Sequence, residues 1–229
     1  MSEKNKIVDK KKRVLLTTVF LFVKLLACGN VKNYDEGMII LNEVTIIYAH
    51  PYEKSFNHEI LVKVKENLAA QNRPYTVLDL YADDFNPVFS KEELSYYSEG
   101  RALDPLVQTY QEKLTEAQEL VFIFPIWWND VPAIVKGFFD KVMLKNFAFS
   151  DGGAHIEGML THIKTAKVIT TSEEKTAFIR ESTGNAIEQV LINATFAHIG
   201  IKNAEWINRD QISQVSDEER QQFLATLSI

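Results

Sequence analysis

Val44-Thr45-Ile46-Ile47-Tyr48-Ala49-His50-Pro51-Tyr52-Glu53-Lys54-Ser55-Phe56-Asn57 decides how this chain folds. Its first five residues are β-branched and nearly all apolar, as a central parallel strand covered on both faces must be. A short loop then feeds a helix, with Ser55 as its cap and Ile60, Leu61, Val64 and Leu68 recurring at helical spacing. A helix N-terminus carries unpaired amides and a partial positive charge, so an anion such as phosphate is favoured there. His50, Ser55 and Asn57 add side-chain donors around that point. Taken singly, His50 is an ordinary loop histidine and Ser55 only a cap. The loop has neither the G-x-G-x-x-G of a dinucleotide turn nor the G-K-S/T of a P-loop, which disfavours a nucleoside triphosphate.

Outward from this stretch, short apolar runs alternate with longer amphipathic ones, the rhythm of a parallel sheet covered by helices. Tyr75 to Leu80 is a second strand, Leu120 to Phe124 a third ended by Pro125, and Ala166 to Thr171 a fourth; a fifth lies within Ile201 to Ile207. Asp104-Pro105 opens a helix that runs to about Ala117. Val131-Pro132-Ala133 starts another, carrying Ile134, Phe138, Val142 and Leu144. Glu188 to His198 forms a helix with Val190, Leu191, Ala194 and Phe196 inward, closed by Gly200. Ser216 and Glu219 have capping-box spacing, which predicts a last helix to about Leu227. Five strands alternating with five helices give an α/β, doubly wound parallel sheet in the order 2-1-3-4-5 with helices on both faces. Ligands of such sheets sit beyond the carboxyl ends of the strands, so the loops after strands one, three and four are where chemistry belongs.

The chain has 229 residues, 46% of them hydrophobic, enough for one well-buried α/β domain plus an appendage. Its net charge is −6, but the first 13 residues hold six basic and two acidic side chains, leaving −10 from Val14 onward. That acidic body argues against nucleic acid and against docking on anionic lipid. One cysteine excludes an intrachain disulfide, and five scattered histidines without H-x-x-x-H spacing leave metal chemistry without a motif.

Residues 1–37 are an N-terminal extension, and 38–229 the domain. Lys10-Lys11-Lys12-Arg13, the apolar run Val14 to Ala27 and then Cys28 have the order of a secretory signal with a lipoprotein-like box. Against it, Lys24 interrupts the run at about 2.5 to 3.5 kcal/mol on insertion scales, and the run is shorter than the roughly 20 residues of a membrane span. Met38-Ile39-Ile40-Leu41 offers a competing start. The reading adopted is a cytoplasmic protein, with export or lipid anchoring through residues 10–28 as the alternative.

Pro125-Ile126-Trp127-Trp128-Asn129-Asp130 places two large aromatics at the end of a buried strand, where they suit flanking a flat ring as well as loop packing. With this loop the motifs suffice for a resemblance. His50-Pro51-x-x-x-Ser55-Phe56-Asn57, Asp79-Leu80-Tyr81-Ala82-x-x-Phe85-x-Pro87-Val88, Pro125-x-x-Trp128-x-x-x-Pro132-Ala133-x-x-Lys136-Gly137 and Thr170-Thr171 resemble the NAD(P)H:quinone oxidoreductase family of flavodoxin-like enzymes. Its bacterial branch includes drug-modulator reductases and ancillary proteins of potassium-efflux systems. The resemblance covers about Val44 to Ile207.

The resemblance implies a flavodoxin-like fold and a tightly bound flavin, FMN or FAD, with NAD(P)H as donor. His50 and Ser55-Phe56-Asn57 would hold the phosphate and ribityl chain; Pro125, Ile126, Trp127, Trp128 and Asn129 would line the isoalloxazine; Thr170 and Thr171 would contact its far side. It further implies a homodimer, with Phe149 and Asp151 in the substrate pocket. Three features depart from the family. Ser172-Glu173 stands where relatives carry Gly-Gly, Phe178 where many have a tyrosine, and Phe149 and Asp151 where the animal enzymes have tyrosines. The implied chemistry is a two-electron transfer as hydride from NAD(P)H to a quinone or similar acceptor. No protein nucleophile is needed; His155, in Gly152-Gly153-Ala154-His155, is either a proton donor to the acceptor or a solvated loop histidine. The alternatives are a non-catalytic flavin- or nicotinamide-binding regulatory subunit of a potassium-efflux system, and a one-electron flavodoxin-like carrier.

Overall fold

A computed structural model describes residues 43–151, 153 and 155–229. The readings placed on residues 1–37 and on Met38 lie outside those residues, as do Gly152 and Ala154. From the amino end, β1 (Val44–Tyr48) is buried along its whole length. In α1 (Phe56–Ala70) the Ser55 hydroxyl accepts the His58 amide at 3.2 Å, and Ile60, Leu61, Val64 and Leu68 are all buried. β2 (Tyr75–Asp79), the short α2 (Lys91–Ser95) and α3 (Pro105–Glu116) follow, the last with Asp104 as its cap and proline at its start. Then come β3 (Glu119–Pro125), α4 (Ala133–Val142), a small antiparallel hairpin of β4 (Phe149–Asp151) and β5 (Ile156–Gly158), β6 (Thr165–Thr171) and α5 (Thr176–Ser182). A π-helix (Ile187–Phe196) runs into α6 (Ala197–Ile199), which Gly200 closes at φ +98°; β7 (Ala204–Arg209) and α7 (Asp217–Thr226) complete the chain.

The sheet order is β2-β1-β3-β6-β7, all parallel, which in order of appearance of its five strands is 2-1-3-4-5. Side chains alternate across it and feed two cores. On one face Ile47, Phe122, Phe124 and Val168 meet α3, α4 and the π-helix; on the other Ile46, Tyr48, Ile123 and Ile169 meet α1 and α7. Full burial of one such side chain is worth about 1.5–3 kcal/mol. The aromatic cluster of Phe85, Tyr110, Phe122, Phe138, Phe139 and Phe196 concentrates that gain on the first face.

Three expectations need correction. The fifth strand lies two to three residues later than its apolar run, because Asn208 and Arg209 pair with Thr170 and Thr171. Leu144 is buried but falls beyond the end of α4. Val190 is 56% exposed rather than inward. The buried positions of that segment are Ile187, Leu191 and Phe196, the wider spacing of a helix bonded i to i+5, so a count at 3.6 residues per turn points Val190 the wrong way.

One motif of the sequence is explained by contact. A Cβ on Gly137 would lie 2.3 Å from the Pro87 Cβ and 2.4 Å from its carbonyl oxygen, so α4 presses directly on the segment around Pro87. Lys141, one turn further and 2% exposed, fastens the same segment: its ammonium donates to the Asn86 carbonyl at 3.0 Å and pairs with Glu93 at 2.9 Å and Asp104 at 3.5 Å.

Candidate cofactor site

At the carboxyl edge of β1, His50 is half-buried. Its Nδ1 accepts the Tyr52 amide at 3.1 Å, so a neutral ring carries its proton on Nε2. Burial pushes the imidazole below its ordinary pKa, favouring that neutral form. The ring lies edge-on to Trp127, with centroids 6.4 Å apart. The Phe56 ring is turned into the core against Phe223, so only its backbone can serve the loop. Asn57 is buried in the first turn of α1; its Nδ2 donates to the Thr171 hydroxyl at 2.8 Å, while its Oδ1 is buried with no partner. An unpaired buried acceptor costs about 1–3 kcal/mol, so this carbonyl calls for a donor from outside the chain.

The loop after β3 is a two-residue turn. The Trp127 amide donates to the Asp130 carbonyl at 3.1 Å, the Asp130 amide returns the bond at 3.2 Å, and Trp128 and Asn129 sit at φ +53° and +65°. Both central residues in the left-handed region define a type I′ turn, normally made by glycine and asparagine. A tryptophan there is strained by on the order of 1–3 kcal/mol, and its ring is 98% exposed, so packing within the chain does not repay the strain. Ile126 is tied across to β6 by its amide, which donates to the Thr171 carbonyl at 2.7 Å, and Pro125 is the buried last residue of β3.

Thr170 and Thr171 divide. Thr171 faces α1 and Asn57. Thr170 points to the opposite face, where its hydroxyl accepts the Trp206 indole N–H and donates to Asn208 Oδ1, both at 2.7 Å. Asn208 Nδ2 donates to Ser172 Oγ at 2.8 Å and Thr176 Oγ1 at 3.0 Å; Ser172 passes its proton to the Glu174 carbonyl, and Thr176 donates through both amide and hydroxyl to Asp210. The side-chain donors of Trp206, Thr170, Asn208, Ser172 and Thr176 are thus all used within this network. Between this braced loop and the tryptophan turn lies a cleft of about 510 Å³, lined by Ile126, Trp127, Trp128, Asn129, Ser172, Glu173, Glu174 and Ile179. Sequence reading reached most of these residues but missed Asn208, Trp206 and Asp210, whose only signal was the polar Asn-Arg-Asp ending of an apolar strand.

Phe149 and Asp151 fall elsewhere. Phe149 lines a second recess with Asp130, Val131, Phe139, Met143 and Ile156, and Asp151 is exposed and ion-paired with Lys145. His155 is exposed at the turn of the β4–β5 hairpin, beside this second recess rather than in the tryptophan cleft. The tryptophan turn borders both, with Trp127 to Asn129 on one side and Asp130 on the other. Among the described residues no group of three or more His, Cys, Asp or Glu is placed to hold a metal ion. No helix among them is long and apolar enough to cross a membrane.

A family model described as flavodoxin-like fold matches residues 42–228. The chain belongs to this flavodoxin-like family. It is similar to an uncharacterized NAD(P)H oxidoreductase of Haemophilus influenzae, 27% identical over 78% of this chain and 89% of that one. It is also similar to NAD(P)H dehydrogenase (quinone) 1 of Cavia porcellus, 31% identical over 62% of this chain and 57% of that one, so it spans little more than half of that longer relative. Among solved structures, NAD(P)H:quinone oxidoreductase from Methanothermobacter marburgensis superposes with a TM-score of 0.71 at 28% identity, covering 80% of this chain and 93% of that one. This flavodoxin-like chain thus has its candidate site at the sheet edge built from β1, β3 and β6.

Proposed function

We propose that this protein is an NAD(P)H-dependent flavoprotein reductase that passes two electrons, as hydride, to a quinone or similar acceptor. The observation that carries the reading is the convergence at one sheet edge of three unlike elements. These are the α1 N-terminus, the orphaned Asn57 carbonyl and an aromatic turn held in a strained conformation. That donor and acceptor set fits a flavin, FMN or FAD: an anion for the helix terminus, hydroxyl donors for Asn57 Oδ1 and a flat ring for the tryptophans. A flavin, when bound, supplies the ring that takes hydride from NAD(P)H and returns it to the acceptor.

The chain's own residues have distinct tasks in this reading. The α1 terminal amides and His50 Nε2–H would hold the phosphate, with Ser55 fixing the first turn. Because the Trp127 amide is committed to Asp130, the amides of Trp128 and Asn129 are the ones left to face polar ring atoms, as does the Thr171 hydroxyl beyond its bond from Asn57. Preorganised donors of this kind favour negative charge developing nearby. Trp127 and Trp128 would keep water from the ring. Phe149 would reach the acceptor from the second recess, whose exposed apolar rim of Tyr97, Ile156 and Val190 fits covering by a second copy in a homodimer, while Asp151 stays outside that lining on its ion pair with Lys145.

An absorbance spectrum of the purified protein, identification of the released cofactor, and NAD(P)H oxidation with menadione test the proposal together. Flavin bands and turnover support it. A colourless protein that neither flavin reconstitutes removes it, and bound flavin without turnover on any acceptor favours the regulatory alternative.

A further inference from the structure

The loop that joins β6 to α5 is pinned at both ends by one side chain. Asn208, in β7, donates one Nδ2 hydrogen to the Ser172 hydroxyl at 2.8 Å and the other to the Thr176 hydroxyl at 3.0 Å. Ser172 and Thr176 bracket Glu173, Glu174 and Lys175, so the span between them is held to the sheet from either side. Asn208 is itself fixed, because its Oδ1 accepts the Thr170 hydroxyl at 2.7 Å and its backbone pairs with Thr170 in the sheet.

Ser172 is engaged on every side. It is 3% exposed; its amide donates to the Arg209 carbonyl at 3.1 Å, its carbonyl accepts the Ile212 amide at 3.0 Å, and its hydroxyl donates to the Glu174 carbonyl at 2.7 Å. The Glu173 carboxylate is taken up by the Ser213 hydroxyl. The amides of the loop are not consumed in this way. Among the described residues those of Glu173 and Glu174 have no partner, and both residues line the tryptophan cleft. With the Ser172 and Glu174 carbonyls engaged by Ile212 and Ser172, the loop has donors left to offer. They stand across the cleft from the amides of Trp128 and Asn129.

We infer that Asn208 is a positioning residue for the cofactor: by clamping Ser172 and Thr176 it aims the Glu173 and Glu174 amides at the ring, and through them favours the ring's reduced, more negative state. The inference rests on the flavoprotein reading above. Donors fixed in place before charge develops need no reorganisation when it does, so they hold the reduced ring more tightly than the oxidised one. A loop free to turn loses that difference, because a peptide unit that rotates brings its carbonyl to where its amide stood. Serine at 172 completes the clamp. Its hydroxyl links the Asn208 amide to the Glu174 carbonyl, which a residue without that oxygen cannot do.

The test is the midpoint potential of the flavin-loaded protein, read by spectroelectrochemical titration and set beside its melting temperature. Asn208→Ala and Ser172→Ala are each expected to weaken the preference for reduced over oxidised flavin about tenfold, the size of one hydrogen bond to a charged group. For a two-electron couple that lowers the potential by about 30 mV. Combining them should move it no further than Asn208→Ala does, since both cut one chain of bonds. Asn67→Ala removes a bond of similar kind, 2.8 Å to the Leu227 carbonyl near the other end of α1; it should lower the melting temperature and leave the potential in place. Should Asn208→Ala fail to fold, Ser172→Ala alone decides, because it deletes a single oxygen from a loop. Potentials that match the wild type in folded, flavin-loaded variants, or shifts that add in the double variant, overturn the inference and leave the reductase reading intact. A wild type that neither FMN nor FAD reconstitutes overturns both.

Discussion

Asn57 in the first turn of α1 donates its side-chain amide to the hydroxyl of Thr171 at the end of β6, across 2.8 Å and 114 positions of sequence. This bond locks the N-terminus of α1 to the carboxyl end of β6. Asn57→Ala removes it together with a buried acceptor, and Thr171→Val leaves the amide unpaired. Each substitution is expected to cost about 1–3 kcal/mol, and a double-mutant cycle in urea should return a coupling of about 1 kcal/mol. Strictly additive losses would mean that the bond does not hold these elements together.

Trp128 should separate stability from cofactor retention. Glycine adopts φ +53° without strain, and the indole is almost fully exposed. Trp128→Gly is therefore expected to unfold within about 1 kcal/mol of the wild type, yet to lose bound flavin on dialysis. Calorimetry and the flavin-to-protein absorbance ratio read the two effects separately. Unchanged flavin content would assign the tryptophan to something other than the ring.

Acid should loosen the segment around Pro87 through Glu93. Burial works against its charge, but the Lys141 ammonium and the Ser90 amide and hydroxyl outweigh it and hold the carboxyl below its usual range. A carboxylate depressed in the folded state contributes stability that is complete above its unfolded pKa and is lost as pH falls through the folded one. Lys141→Met takes the ammonium away from the half-buried Glu93 and Asp104 carboxylates, at a cost of about 2 kcal/mol at neutral pH. The same variant should lose less than the wild type between pH 6 and pH 3. Parallel pH profiles for the two proteins in urea melts would contradict this account of Glu93.

Gly137 tests the packing beneath the site. A methyl group there meets Pro87 backbone and ring atoms at 2.3 to 2.5 Å, which neither element can yield by rotating a side chain. Gly137→Ala is expected to cost about 1–3 kcal/mol despite alanine's better helix propensity. A more stable variant would show that the segment around Pro87 moves aside freely.

What the sequence disclosed followed physical range. Val44 to Tyr48 and the α1 periodicity are local patterns of burial, and both folded as read. The caps at Ser55, Asp104 and Ser216 are equally local, each needing only a side chain and an amide two or three residues on. Val190 was misplaced because i to i+5 bonding leaves no mark that apolar spacing at 3.6 can register. The left-handed turn at Trp128 was hidden by a residue type that ordinarily avoids that conformation. The Asn208 network was invisible because it exists only once β6 and β7 pair in register, bringing Thr170 opposite Asn208. The Ser172-Glu173 departure was visible as a change of letters, but its place as the charged wall of a cleft depends on the same non-local pairing.

The central position of β1 has a consequence for synthesis. The ribosome releases this strand early, and its two sheet neighbours, β2 and β3, are complete by Pro125. A nascent chain of that length can already assemble the middle of the sheet and the helix that abuts the anion loop. Its Asn57 amide must still wait for Thr171, nearly fifty residues later in translation at a few residues per second or more. Until then the loop is formed but unlatched; in the flavoprotein reading proposed above, cofactor capture belongs to the last stage of the protein's birth, and a chain truncated before β6 should fold partly and hold nothing.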